Sequence, residues 1–293
     1  MKPASFQYHA SETVQAMLAL LARHGDDGKL IAGGQSLVPM MNFRLARPAH
    51  LLDMNGIAEL DFLRVEPGRL RIGALTRHAA FHRPVADGPT GTLLSEVVRH
   101  IAHYPIRQRG TFAGSVAHAD PASEWCLVTA TLDGEIVARS EKGERVLQAA
   151  GFFLGIFATQ LRPDEIITEI RLPLLDANWR TGFYEFSRRA GDFAIAMTAV
   201  ALRIASGKVA EARVGIGGVE DHPFRCAAAE QALIGSAADG CAITAAISEA
   251  AEIVSKTVKP MEDLHADAPY RRDLVRTTTR RALQQAVFGA VGK

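Results

Sequence analysis

Two adjacent glycines, Gly33 and Gly34, close one apolar run, Leu30-Ile31-Ala32, and lead into a second at Leu37-Val38. The first run reads as a buried strand, and it stops where Gln35 and Ser36 bring side-chain hydrogen-bond donors. Paired glycines let backbone N–H groups turn toward a ligand at positions where a Cβ would interfere. Ala32-Gly33-Gly34-Gln35-Ser36 therefore has the make-up of a phosphate cradle. An ordinary strand-to-helix turn carries the same pattern, and the stretch taken alone favours that simpler reading. The rest of the chain has to decide between the two.

The chain's 293 residues call for one large or two medium domains. Its 33 basic and 32 acidic residues nearly cancel, which gives no electrostatic case for nucleic acid or an anionic membrane. The apolar runs at 17–22 and 149–158 are too short to span a bilayer. The N-terminal segment, polar and then amphipathic, does not look like a signal peptide. Cys126, Cys226 and Cys241 are widely spaced, with no Cys-x-x-Cys, so they make neither a disulfide framework nor a four-cysteine metal or cluster site. A reduced, cytoplasmic protein is the expectation.

Periodicity places the remaining elements. Ser11 reads as the N-cap of a helix carrying Val14, Met17, Leu18 and Leu21 and ended by Gly25. Residues 51–54 read as a strand, and 63–66 with 69–74 as a hairpin about Pro67-Gly68, a pair suited to a type II turn. Leu94, Val97, Val98 and Ile101 mark one face of a second helix. Residues 107–115 then read as a loop of small, hydrogen-bonding side chains. Asp120-Pro121 resembles an N-cap with proline at the first helical position, for a helix through Trp125, Val128 and Leu132. A hairpin about Lys142-Gly143 and a strand over 166–172 follow. The aperiodic stretch 174–180 divides the chain into domains at 1–176 and 177–293. Beyond it come strands at 183–188, 198–204 and 209–215, then helices at 230–234, 243–258 and 270–288, an α+β order.

Walker A, His-Glu-x-x-His and Gly-x-Ser-x-Gly motifs are all absent. Gly215-Ile216-Gly217-Gly218-Val219-Glu220 begins like a dinucleotide fingerprint, but it lacks the last glycine and sits between strands, so it reads as a bend or bulge. Two polar, glycine-bearing loops remain, 33–36 and 111–115. Converging, they could offer N–H groups and hydroxyls to a pyrophosphate; as unrelated turns they would do nothing.

Ala32-Gly33-Gly34-Gln35-Ser36-Leu37, Arg109-Gly110-Thr111-Phe112-Ala113-Gly114-Ser115, His118-Ala119-Asp120-Pro121-Ala122-Ser123-Glu124 and Ser187-Arg188-Arg189-Ala190-Gly191-Asp192-Phe193-Ala194-Ile195-Ala196 together span nearly the whole chain. In that order they resemble the FAD-binding medium subunit of molybdenum hydroxylases, the carbon monoxide dehydrogenase medium-chain type related to the flavin domain of xanthine dehydrogenase. The resemblance implies an α+β fold: a two-part FAD-binding domain of the vanillyl-alcohol-oxidase type and a smaller C-terminal α+β domain. It implies that Ala32, Gly33, Gly34, Gln35 and Ser36, with Thr111, Ala113, Gly114 and Ser115, hold the FAD diphosphate. Ile101 would pack near the cofactor and Glu124 would meet its sugar. Ile167 and Tyr184 align with further contacts, and Phe193 with an aromatic position near the flavin ring in some members.

Two departures stand out. Ala113 occupies a position usually held by glycine; at positive φ it would be strained by about 1 kcal/mol or more. Tyr184 stands where the xanthine dehydrogenase branch has lysine. Simpler readings accompany several residues. His118 fits a packed polar residue better than a base, Glu124 a first-turn carboxylate, and Phe193 a core position at the domain junction. Arg188-Arg189 reads as a solvated strand end or, more sharply, as a contact with a partner subunit.

The implied function is electron transfer with FAD as the chain's own cofactor and no catalytic acid or base. The molybdenum cofactor would lie in a large partner subunit and [2Fe-2S] clusters in a small one. Electrons would pass from the clusters through FAD to an external acceptor. A self-contained FAD oxidase or reductase of the same fold, with its own substrate pocket, is the alternative. A binding module with a vestigial flavin is a third reading, supported only by Ala113.

Overall fold

The computed structural model describes residues 2–289. The first half opens with β1 (Gln7–Ala10), α1 (Val14–His24), β2 (Gly28–Ile31), α2 (Leu37–Asn42) and β3 (His50–Asp53). These strands form a parallel sheet in the order β1-β3-β2. Thr13 rather than Ser11 caps α1, accepting a hydrogen bond from the Ala16 N–H at 3.2 Å. Ser11 Oγ instead bonds the Thr13 backbone and fixes the approach to the helix. Gly25, at φ 50°, ends α1 as expected.

A second sheet, antiparallel, has the order β4-β5-β10-β6-β7, from β4 (Leu63–Glu66), β5 (Arg69–Gly73), β6 (Glu135–Ser140), β7 (Gly143–Gln148) and β10 (Ile166–Pro173). Its β4–β5 turn carries Gly68 at φ 77°, as a type II turn requires. A small pair, β8 (Phe153–Gly155) and β9 (Ala158–Thr159), lies between β7 and β10 in sequence. Helices α3 (Pro89–Val97), α4 (Tyr104–Arg107), α5 (Phe112–His118) and α6 (Glu124–Thr131) fill the stretch between β5 and β6.

Helix α6 starts three residues later than Asp120-Pro121 suggested, because Ser123 is its N-cap. Asp120 makes a turn instead: its Oδ1 accepts from Ala122 N–H at 2.9 Å and its C=O from Ser123 N–H at 2.9 Å. Pro121 C=O is occupied elsewhere, by the N–H of Gly218 at 2.9 Å. Every residue of α6 is buried, as expected of a helix apolar all round.

The second half is an antiparallel sheet β11-β12-β13-β14, from β11 (Trp179–Phe186), β12 (Ala196–Ala205), β13 (Lys208–Gly217) and β14 (Phe224–Arg225), with α7 (Ala227–Leu233), α8 (Gly240–Thr257) and α9 (Ala268–Phe288). The three helices cover one face and enclose a core of Val200, Leu202, Val214, Ile216, Ile247 and Leu283. The other face belongs to the first half: Trp179, Phe183, Met197, Ala199 and Ala201 join the core of Trp125, Leu127 and Val128. Here the glycines of the run 215–218 find their physical role. A Cβ on Gly215 would overlap Thr131 Oγ1 and lie 2.9 Å from Thr131 Cβ, so β13 approaches α6 as only glycine allows. The run is a close helix–strand contact; the bend comes only at Gly218, at φ 77°.

Candidate functional site

Open α/β sheets leave a crevice beyond the carboxyl ends of their parallel strands. Strand β2 ends at Ile31, whose C=O accepts the Met54 N–H (3.0 Å) from the end of β3. Immediately past it, Gly34 takes φ 70°, and Gln35 folds back to donate from Nε2 to Gly33 C=O at 2.8 Å. The first i→i−4 bond of the helix that follows runs from Val38 N–H to Gly34 C=O (3.0 Å). Among the described residues, the N–H groups of Gly34, Gln35 and Ser36 have no acceptor. Three donors without protein partners at a strand end are the chemistry an anion requires.

The second motif lies against the first. A Cβ on Gly33 would overlap the carbonyl oxygen of Arg109 and lie 2.6 Å from Gly110 Cα, so the two backbones touch with no room for a side chain. Gly110 is pinned by Ile106 C=O (2.8 Å) and by His78 N–H, which donates to Gly110 C=O at 2.9 Å. Residues 111–115 are the start of a helix rather than a loop. Thr111 is the N-cap of α5, accepting from Gly114 N–H at 3.1 Å. A Cβ on Gly114 would come within 2.6 Å of that hydroxyl, so the glycine serves the cap. Ala113 sits buried in the first turn with a helical backbone, and the strain foreseen for it does not arise. Ser115 C=O accepts the thiol of Cys126 at 3.3 Å.

A polar web, silent in the sequence, ties these loops together. Arg77 donates to Arg109 C=O (2.5 Å) and to Asn55 Oδ1 (2.6 Å). Asn55 Nδ2 in turn donates to Ala32 C=O (2.8 Å) and Asp53 Oδ1 (2.6 Å). Ala32, Gly33, Asp53, Asn55, Arg77, Gln108 and Arg109 line a cleft of about 550 Å³. The cleft therefore has two arginines that spacing alone did not place there. Beneath it, His78 Nδ1 accepts from Trp125 Nε1 at 2.9 Å, and burial drives the imidazole down to about 3, so it is neutral.

The other expected residues divide. Ile101 is buried just past α3, in a turn held by the Arg107 guanidinium through Ile101 C=O (2.7 Å) and Ala102 C=O (2.8 Å). The 187–195 segment of the second half meets that turn, for a Cβ on Gly191 would strike the His103 ring and lie 3.0 Å from Ala102 C=O. Phe193, expected in the core, is 74% exposed on this segment; the contact with the turn is made by Gly191 instead. Ile167 is buried in the antiparallel sheet, next to a bulge, and does not reach the cleft lining. Tyr184 turns toward α9, where its hydroxyl accepts from Arg281 and its ring lies under that guanidinium.

The residue that strand alternation sends the other way is Glu185, which sequence reasoning passed over. Burial pushes its carboxyl up, and the nearby Glu124 pushes it further. Glu124, first residue of α6 and 8% exposed, is raised by the same burial. Among the described residues, Glu185 Oε2 is buried without any hydrogen-bond partner. An orphaned acidic oxygen at the junction of the halves is what a ligand hydroxyl would satisfy. His118 is packed flat on Phe157, ring centroids 4.7 Å apart, and burial lowers its basicity. Arg188 and Arg189 are exposed; the first donates to His265 C=O at 3.1 Å.

Glycine loops with unspent amides and two arginines beside them give this α+β protein an anion-binding cleft. Comparison with known proteins narrows the class. Residues 4–175 match the FAD binding domain in molybdopterin dehydrogenase, and residues 181–286 the CO dehydrogenase flavoprotein C-terminal domain. The chain belongs to the FAD-binding medium-subunit family of molybdenum hydroxylases. It is 39% identical to the 6-hydroxypseudooxynicotine dehydrogenase complex subunit alpha of Paenarthrobacter nicotinovorans, over 99% of this chain and 97% of that one. It is 34% identical to the carbon monoxide dehydrogenase medium chain of Hydrogenophaga pseudoflava, over 98% of each. A chain in the solved structure of the Hydrogenophaga pseudoflava enzyme superposes with TM-score 0.92 at 36% identity, covering 98% of this chain and 99% of that one. A chain of quinoline 2-oxidoreductase from Pseudomonas putida 86 superposes with TM-score 0.90 at 32% identity, covering both in full.

The cradle, with its glycines and free donors, fits the diphosphate of FAD. The relatives are subunits or medium chains of dehydrogenases and hydroxylases.

Proposed function

We propose that this chain is the electron-transfer subunit of a heteromeric molybdenum hydroxylase. A large subunit would oxidise the substrate at a molybdenum cofactor, and a small subunit would relay electrons through [2Fe-2S] clusters to this chain. FAD supplies the capacity to take electrons singly and to release them singly or in pairs to an external acceptor. The chain's own work is to hold and orient that group. Ala32, Gly33, Gly34, Gln35 and Ser36, with Thr111, Ala113, Gly114 and Ser115, would hold its diphosphate. Ile101 would pack near the cofactor, Glu124 would meet its sugar, and Phe193, on the second half's 187–195 segment, would lie near the flavin ring. Ile167 and Tyr184 are the further cofactor contacts of the proposed set. Residues 1–176 would be the FAD-binding domain and 177–293 the smaller C-terminal α+β domain.

The observation that carries this reading is the meeting of the two glycine loops, where Gly33 abuts Arg109 and Gly110 beside amides that have no acceptor among the described residues. The three cysteines are unpaired, which supports a reducing, cytoplasmic setting, and no helix among the described residues is long and apolar enough to cross a membrane. Native purification tests the proposal: flavin, iron and molybdenum are expected to travel together with this chain. A yellow chain, purified alone, that is reduced by a small organic substrate would overturn it in favour of a self-contained oxidase.

A further inference from the structure

Beside the same parallel sheet three histidines come together, His9 in register with Leu52 and His50 in register with Gln7. His9 lies in β1, His50 opens β3 and His24 closes α1. One ring nitrogen from each lies within 4.8 Å of the other two. His9 Nε2 and His50 Nδ1 share a hydrogen bond at 3.0 Å, and the His24 ring stacks on His50 with centroids 3.8 Å apart. Among the described residues, His24 Nε2 is shut off from solvent and has no partner. The cradle loops follow the opposite ends of β2 and β3, at Ile31 and Asp53. About three residues of strand, roughly 10 Å, separate His50 from that side.

We propose that His9, His24 and His50 form a binding site for one divalent transition cation of the zinc, cobalt, nickel or copper class. Three imidazoles with no carboxylate among them suit that class and not magnesium or calcium. A tetrahedral cation with nitrogens at about 2.0–2.1 Å places them roughly 3.3 Å apart. The His9–His50 spacing is already close to that value, and the wider pairs need a modest closing. His24 and His50 lie 29° from parallel, so one ring must turn before both lone pairs aim at one point. That motion is about χ2, a torsion with broad wells. Water fills the fourth position, and the bound ion pins the end of α1 to β1 and β3.

The test is titration of the tag-free full chain, stripped with chelator, using Co2+ and then Zn2+. One equivalent of Co2+ is expected, with the strong visible bands of four-coordinate cobalt, displaced by Zn2+ and accompanied by a raised melting temperature. Losing even an outer-shell partner costs about 10–100-fold in metal affinity, so His9→Gln, His24→Gln and His50→Gln should each cost more than about ten-fold. The FAD-to-protein ratio should stay at the wild-type value in all three. X-ray absorption of the cobalt-loaded wild-type chain should show imidazole scattering, a measurement independent of how the variants fold. No saturable binding, binding indifferent to the three substitutions, or a cobalt shell without imidazole would each overturn the proposal.

Discussion

Gly33 carries the most information per atom in this chain, because what it lacks lets two loops touch. A methyl group there would overlap the Arg109 carbonyl and press on Gly110. Gly33→Ala is therefore expected to push the loops apart, costing about 1–3 kcal/mol as overpacking does, and to lower the FAD-to-protein ratio read from the flavin absorbance. Full FAD retention in that variant would mean the cradle tolerates separation. This glycine was legible because its identity alone signals close approach. Asn55, Arg77 and Arg109 were not, since nothing in their spacing says that β2 and β3 end side by side. Glu185 was hidden for a related reason: strand alternation places Tyr184 and Glu185 on opposite faces, and only the sheet's partners say which face matters. Its raised pKa has a consequence for stability. The folded state holds the proton more tightly than the unfolded state, so stability is full below the ordinary value of 4.5 and falls as pH rises above it. Glu185→Gln removes that loss. The FAD-free variant should melt higher than wild type at neutral and alkaline pH, and the gap should shrink toward pH of about 4. Two parallel melting curves across that range would show that Glu185 is solvated and charged.

At the scale of elements, helix α6 connects everything, and its environment explains what its sequence could not. An apolar helix with no polar face announces burial, but not that it packs against β12, β13 and β14 of the other half. The Asp120-Pro121 start signal was a sound local reading, displaced by a tertiary bond from Gly218 to the Pro121 carbonyl. The glycines of β13 were visible but their purpose was not, because the partner they accommodate, Thr131, is 84 residues earlier. Ala113 shows the converse. A family comparison made it look like a defect, whereas the first turn of a capped helix accepts alanine readily. The α6–β13 contact can be tested directly. Gly215→Ala drives a methyl into the Thr131 hydroxyl and should destabilise by about 1–3 kcal/mol in chemical denaturation. Adding Thr131→Ala removes the hydroxyl while leaving its Cβ, so the double variant should recover part of the loss, a coupling that independent sites would not show. Strict additivity would place the strain elsewhere.

For the whole molecule, the division at residues 174–180 is a division of sequence more than of structure. The linker is short: β10 ends at Pro173 and β11 begins at Trp179. Across it, Trp179, Phe183, Met197, Ala199 and Ala201 leave their own sheet's helices on the far side and enter the core of the first half. A C-terminal half cut free would expose that face, including a tryptophan, a phenylalanine and a methionine that the full chain buries. Contiguous exposed apolar surface of this kind marks an interface or an aggregation site. Residues 177–293 expressed alone are therefore expected to bind a hydrophobic dye and to self-associate. The intact chain, by contrast, should unfold in one transition seen alike by tryptophan fluorescence and far-ultraviolet circular dichroism. Two separate transitions, or a monomeric fragment with a cooperative melt and no dye binding, would show that the halves fold as independent units. The same shared core brings Glu124 on α6 close enough to Glu185 on β11 to raise its pKa further, and the cofactor contact proposed at Glu124 depends on that core staying intact. A change that loosens the interface, such as Gly215→Ala, should then weaken FAD retention even though Gly215 lines no part of the cleft.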